Sequence, residues 1–239
     1  MPIPFLFIPL CISLMSVSCI GSPDPAPEAS YASQTTATSK TGIGKASGVG
    51  TAGGQSIPLP AKSEAQKRIV EAARSLLGRS QLQFEKANFS SDCSGFVLAA
   101  YYLGGIDLRK EYERQSGNGV RRLYQIARLH HLLSTDQIPF PGDVLFWDNT
   151  YDANGDGKWN DELTHTGIVV ASYSDGKVDY IHYHIRRGIV LERMDLRNPD
   201  EESFNAPIRI KEPGNPRPEK WLAAQLYRAS GRLWQVGNN

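Results

Sequence analysis

The stretch "SSDCSGFVLAAYY", Ser90 to Tyr102, holds Cys93, and the two other cysteines of the chain lie within its first nineteen residues. Ser91 or Asp92 reads as an N-cap. Phe96, Ala99, Ala100 and Leu103 recur on one face, and Gly104 and Gly105 end the run, so "DCSGFVLAAYYLGG" is predicted to be a helix with Cys93 in its first turn. A thiol there faces unpaired N–H groups and the positive end of the macrodipole, both of which favour a thiolate. A free cysteine in a helix is more commonly a small buried hydrophobe, so the rest of the chain has to decide.

Working outward, "SEAQKRIVEAARSLLGR" offers Ser63 as N-cap, with Ile69, Ala72, Ala73, Leu76 and Leu77 as an apolar stripe, and "NGVRRLYQIARLHHLL" repeats that spacing in a third helix. Downstream, "PFPGDVLFW", "THTGIVVAS", "KVDYIHYHI" and "GIVLERMD" read as strands, the last two joined as a hairpin across Arg186, Arg187 and Gly188. The tail "EKWLAAQLYRASGRLW" is ambiguous between helix and strand. Helices first and strands second imply an α+β fold with an antiparallel sheet.

The chain opens on an apolar run from Ile3 to Val17, broken by Pro4 and Pro9 and too short for a span, which reads as an export signal over residues 1–19. The small-residue approach to Cys19 suggests lipidation there, hence an envelope protein held on a membrane; plain cleavage is the alternative. Residues 20–62 are rich in Ser, Thr, Ala, Gly and Pro and read as a flexible tether with a root-mean-square span of roughly 35 Å. Residues 63–239 are the expected domain, a monomer. Cys93 is then the sole thiol of an exported domain, a liability unless buried or used. With 26 basic and 25 acidic residues, the charge offers no reason to expect a nucleic-acid partner.

A nucleophilic cysteine needs a histidine base and a third group to orient it. His130 and His131 fall among solvated residues of the third helix, whereas His165, His182 and His184 lie on two strands that could be neighbours. The period of two places Tyr180, His182 and His184 on one face. Taken in order, "DCSGFV", "PGDVLFW", "HTGIVV" and "YIHYH" resemble the motifs of the NlpC-type cysteine peptidases, papain-like cell-wall hydrolases related to the CHAP amidases, over about residues 64–194. The resemblance implies a helix carrying Cys93 packed on an antiparallel sheet carrying His165, with His182 as the third residue and His184 its rival. It also implies that Asp92 and Ser94 line the subsite for the free N-terminal end of a peptidoglycan stem peptide. Family members commonly place a Tyr upstream of the cysteine at the oxyanion hole; "SQLQF" has none, and Gln81 or Gln83 would take that work, as a Gln does in papain-like enzymes.

Between "VLFW" and His165 lies "DNTYDANGDGKWNDELT". Asp152, Asn154, Asp156, the Lys158 carbonyl and Asn160 fall at the first, third, fifth, seventh and ninth positions of an EF-hand-like loop, with Gly157 at the sixth, so a structural Ca²⁺ is expected, although Leu163 occupies the twelfth. The expected function is an exported cysteine endopeptidase that cuts stem peptides, by resemblance between γ-D-Glu and the diamino acid. The alternatives are a CHAP-like amidase cutting between sugar and peptide, and a catalytically silent wall-binding lipoprotein.

Overall fold

Helix Cys93–Leu103, here α2, is held at its start by Asp92, whose carboxylate accepts the Gly95 amide. Asp92 rather than Ser91 is therefore the cap. From Ser94 to Tyr101 every residue is buried, so α2 is apolar all round and forms the central helix rather than a half-buried one. Leu103, expected in the buried stripe, is 43% exposed, because the helix runs out of the core in its last turn. Gly95 is required by close approach: a Cβ there would stand 1.9 Å from the Ser90 carbonyl oxygen, so the chain before Cys93 crosses the first helical turn in contact with its backbone.

This computed structural model describes residues 56–135, 138–210 and 219–237. The expected export signal, the expected lipidation site at Cys19 and most of the expected tether lie outside them. Among the described residues no helix is long and apolar enough to cross a membrane. Ser63 caps α1 (Glu64–Ser75), as its sequence predicts, and the structure adds a full capping box with Gln66. The polar connection that follows contains a hairpin of β2 (Gln83–Phe84) and β3 (Ala87–Asn88). A short helix α3 (Arg109–Glu113), which has no apolar period to announce it, precedes α4 (Gly119–Leu129).

The strands β4 (Leu133–Ser134), β5 (Val144–Trp147), β6 (His165–Tyr173), β7 (Lys177–His184), β8 (Gly188–Asp195) and β9 (Tyr227–Gly231) form an antiparallel sheet in the order β4-β9-β5-β6-β7-β8. The ambiguous tail is both helix and strand: α5 (Ala223–Leu226) runs directly into β9, which enters the sheet between β4 and β5. Pro58 and Leu59, assigned from composition to the tether, form β1 and pair with the end of β6. The folded part thus starts before Ser63.

The sheet is apolar on both faces. On one, Phe146, Ile168, Val170 and Ile181 pack with the helices α1, α2 and α4. On the other, Leu145, Trp147, Val169, Tyr180 and Met194 pack with α5 and Ile208. The "PGD" turn ties helices to sheet: the Gln66 side chain donates to the Pro141 carbonyl, the Tyr101 hydroxyl to the Gly142 carbonyl, and Asp143 accepts from the Trp234 indole and the Phe140 amide. Burial pushes the Asp143 carboxyl up to about 6.

Replacing Gly95 by Ala forces backbone against backbone, an overpacking cost of about 3 kcal/mol. The expected result is a melting temperature lower by roughly 5–10 °C in a thermal denaturation scan. An unchanged melt would mean that the segment 90–92 moves freely past α2.

Candidate active site

The strand register sets the site. His165 is the first residue of β6, opposite Trp147 on β5. Gly167 lies opposite His182 on β7, and Tyr180 lies opposite Glu192 on β8. His165 and Glu192 are thus the two diagonal neighbours of His182 on one face of the sheet, within side-chain reach. The contacts are made: His165 Nε2 and His182 Nδ1 are 2.8 Å apart, and His182 Nε2 and Glu192 Oε2 are 2.9 Å apart. Glu192 also accepts from the Tyr180 hydroxyl at 3.3 Å and from Arg187. Gly167 makes the diagonal possible. A Cβ on it would meet the Ile181 carbonyl at 2.8 Å, His182 Cβ at 3.1 Å and the Trp147 ring at 3.5 Å.

The thiol arrives from the helical side. Cys93 is partly exposed, and its sulfur receives the backbone amides of Thr166, Ser94 and Cys93 itself, so α2 abuts β6 at the residue next to His165. The Asp92 cap uses the Gly95 amide, which leaves those first-turn amides to the sulfur and to whatever bonds to it. The expected thiolate does not follow. Burial first, and the Asp92 charge second, push the Cys93 thiol up to about 12 against the three amides. His165 moves the other way: burial, followed by the charge of His182, holds it well below the ordinary imidazole value. The thiol and the imidazole are thus both held neutral at rest.

The remaining sequence-derived residues divide. Ser94, 4% exposed, donates to Asp92 Oδ1 at 2.8 Å, so it stands behind the exposed Asp92 carboxylate and orients it. His184 does not reach His165; its Nδ1 accepts the Arg186 and Arg187 amides and shapes the β7–β8 turn. Gln81 lies at the site's edge, where its carbonyl accepts from Ser91 at 3.4 Å, whereas Gln83 is exposed on β2 opposite Asn88.

In the loop before His165, Asp152 accepts the Gly155, Asp156 and Gly157 amides. Asn160 Nδ2 donates to Asp156, and the Asn154 and Asn160 side chains meet at 3.4 Å. Three of the side chains named from the sequence, those of Asn154, Asp156 and Asn160, therefore meet, while Asp152 holds the backbone of the same turn. The closing position is filled by Leu163, 2% exposed, and among the described residues no group of three or more His, Cys, Asp or Glu side chains is placed to hold a metal ion.

Two residues were missed from sequence. Glu192 completes the row across the sheet. Tyr151, from the loop, stands close enough to feel the Cys93 charge: burial first, then Cys93 and Asp161, raise its phenol above its ordinary value. A separate cavity of about 440 Å³, lined by Asp148, Trp159, Gln225 and Tyr227 among others, opens at the β5–β9 end of the same row and contains neither Cys93 nor His165.

Glu192 makes the acid side of the stability profile specific. Burial raises its pKa, but the hydrogen bonds and charges of His182 and Arg187 outweigh that and bring it to about 2, from an ordinary 4.5. A carboxyl lowered on folding contributes stability that is present above pH 4.5 and is lost as pH falls through about 2. Chemical denaturation between pH 6 and 2 is expected to show a shallower acid loss for Glu192→Gln than for wild type; parallel profiles would remove Glu192 from the ion-pair network.

No protein-family model matches the chain, and no curated protein matches it. Among solved structures, a protein from Staphylococcus aureus subsp. aureus Mu50 described as similar to lipoprotein, NLP/P60 family, aligns with 56% of this chain and 38% of its own at 20% identity and a TM-score of 0.32. The chain spans about two fifths of that protein's length, and a likeness at this level carries no argument about activity.

Proposed function

We propose that the protein is an exported cysteine hydrolase of cell-wall stem peptides. The observation that carries the reading is the meeting of α2 and β6: the Cys93 sulfur receives the amide of Thr166, the residue that follows His165 in β6, and His165 is hydrogen-bonded to His182, which meets the Glu192 carboxylate. The cell-wall substrate, the γ-D-Glu to diamino acid bond and the envelope location come from the motif resemblance and the export signal.

Because the thiol and the imidazole are both neutral at rest, the proton moves as the bond forms. Cys93 Sγ attacks the amide carbonyl while His165 takes the thiol proton through Nδ1, the ring nitrogen not engaged by His182. The first-turn amides of α2 face the developing oxyanion. His165 then gives its proton to the departing amine, leaving a thioester on Cys93. Water, deprotonated by His165, adds to the thioester carbonyl; the C–S bond breaks, the acid product leaves, and His165 returns its proton to Cys93 Sγ. Asp92 Oδ1 is occupied by Gly95 and Ser94, which fixes the carboxylate to receive a cationic end of the substrate, the role that the resemblance gives it.

Digestion of purified sacculi with wild type and Cys93→Ala, followed by mass spectrometry of the released products, tests the reading. Wild type is expected to release fragments with new termini within the stem peptide, and Cys93→Ala to lose at least about 10³-fold of that rate, the scale for removal of a nucleophile. Termini at the lactyl–alanine bond would identify an amidase instead. Equal release, or none, from both proteins would leave a binding protein.

A further inference from the structure

We propose that Glu192 sets the protons of this row: it holds His182 as the tautomer protonated on Nε2, so that His182 Nδ1 accepts from His165 Nε2 and the Nδ1 lone pair of His165 is left as the base for Cys93. The inference rests on the cysteine-hydrolase reading and adds a positioning residue that acts through two rings on the thiol.

The argument begins with what a carboxylate can do. An ionised Glu only accepts hydrogen bonds. Both Glu192 oxygens are engaged, Oε2 by His182 at 2.9 Å and by the Tyr180 hydroxyl at 3.3 Å, and Oε1 by Arg187. The His182 side chain is 3% exposed and that of Glu192 is 9% exposed, so little water competes for the bond. The proton between them belongs to His182 Nε2. With its one proton on Nε2, the ring keeps a lone pair on Nδ1, and the 2.8 Å contact with His165 carries one proton, donated by His165 Nε2.

The reverse arrangement disables the site. With His182 protonated on Nδ1, His165 would accept at Nε2, carry its own proton on Nδ1 and present a donor to the thiol. The charged and titratable groups around these rings support the first arrangement. His165 is surrounded by His182, Glu192 and His184, and Glu192 by His182, Tyr180 and Arg187. Arg187 keeps Glu192 ionised, and its side chain is half exposed, so it closes the row toward solvent.

The test reads the base without a substrate. Full-length protein is alkylated with iodoacetamide from pH 5 to 10, and modification of Cys93 is followed by peptide mass spectrometry, which separates it from Cys11 and Cys19. Imidazole ¹⁵N shifts of the same proteins report the tautomers. For wild type, Nε2–H on His182 is expected. In Glu192→Gln the amide can donate in place of the carboxylate, so Cys93 alkylation at pH 7 is expected to fall at least about tenfold in a variant that stays folded, though with a lower melting temperature near neutrality, as a wrong tautomer disables other triads. His165→Ala is the arm that separates the two readings. If it alkylates like wild type, His165 is not the base and the hydrolase reading fails. If it slows while Glu192→Gln keeps the wild-type rate, pH profile and tautomer, the hydrolase reading stands and the role of Glu192 is overturned. Should Glu192→Gln fail to fold, the wild-type spectrum decides alone: Nδ1–H on His182 overturns the proposal.

Discussion

The His182 ring is the constraint on which the rest of the site depends. It is almost fully buried, yet both of its nitrogens have partners, and both partners are diagonal neighbours supplied by the register of an antiparallel sheet. A one-residue slip of β7 would turn His182 to the opposite face and break both bonds at once. The register is therefore specified twice, by the apolar residues on each face and by this polar row. Removing the ring would leave the largely buried Glu192 carboxylate with one partner fewer, and losing a hydrogen bond to a charged group costs about 1.5–3 kcal/mol. Stability and the orientation of His165 are thus vested in the same side chains.

The state of the thiol follows from a contest whose terms differ in size. A helix N-terminus stabilises a negative charge by about 0.3–1 kcal/mol, rising to ~2 kcal/mol in the best partly buried geometry. A rise from 9.0 to about 12 for Cys93 corresponds to about 4 kcal/mol against the thiolate. Burial and the neighbouring Asp92 prevail over the dipole. Asp92 caps the helix, and its charge raises the thiol pKa as a consequence. In the proposed mechanism His165 has to accept the proton during attack, which gives the orientation of that ring more weight than a preformed thiolate would require.

Much of this could be seen in the order of the residues. Ser63 announces the cap of α1, and the spacing of apolar residues in "GVRRLYQIARL" announces α4. Cys93, His165 and His182 stand out by residue type and period. Glu192 was within reach too: once the hairpin turn is placed at Arg186, Arg187 and Gly188, counting back along β8 puts it opposite Tyr180 and diagonal to His182. It escaped notice because a lone Glu on a strand resembles a solvated residue. The central position of β9 could not be read, since "LAAQLYRASG" serves a helix and a strand equally and only the open edge of β5 selects the strand. Tyr151 was hidden for a different reason. The loop around it presents a charge pattern that draws attention to its acidic residues, and nothing local says that the chain folds back toward Cys93.

That loop explains how an insertion can sit beside the base without loosening it. Leu163 adopts a left-handed conformation, φ +56°, and is buried, a combination that costs about 1–2 kcal/mol for a residue with a Cβ. The strain is held by bonds from outside the loop: the Leu163 amide donates to Asp148, its carbonyl accepts from Asn118 on the α4 cap, and the Thr164 amide donates to Trp147. Asn149, also left-handed at φ +54°, pins the other end by accepting the Asp161 amide. The exposed tip at 152–160 can therefore vary in sequence or occupancy while the two residues before His165 stay fixed to α4 and β5. The ring is aimed by the closure at the base of the loop, where Leu163 and Thr164 are bonded to Asp148, Asn118 and Trp147.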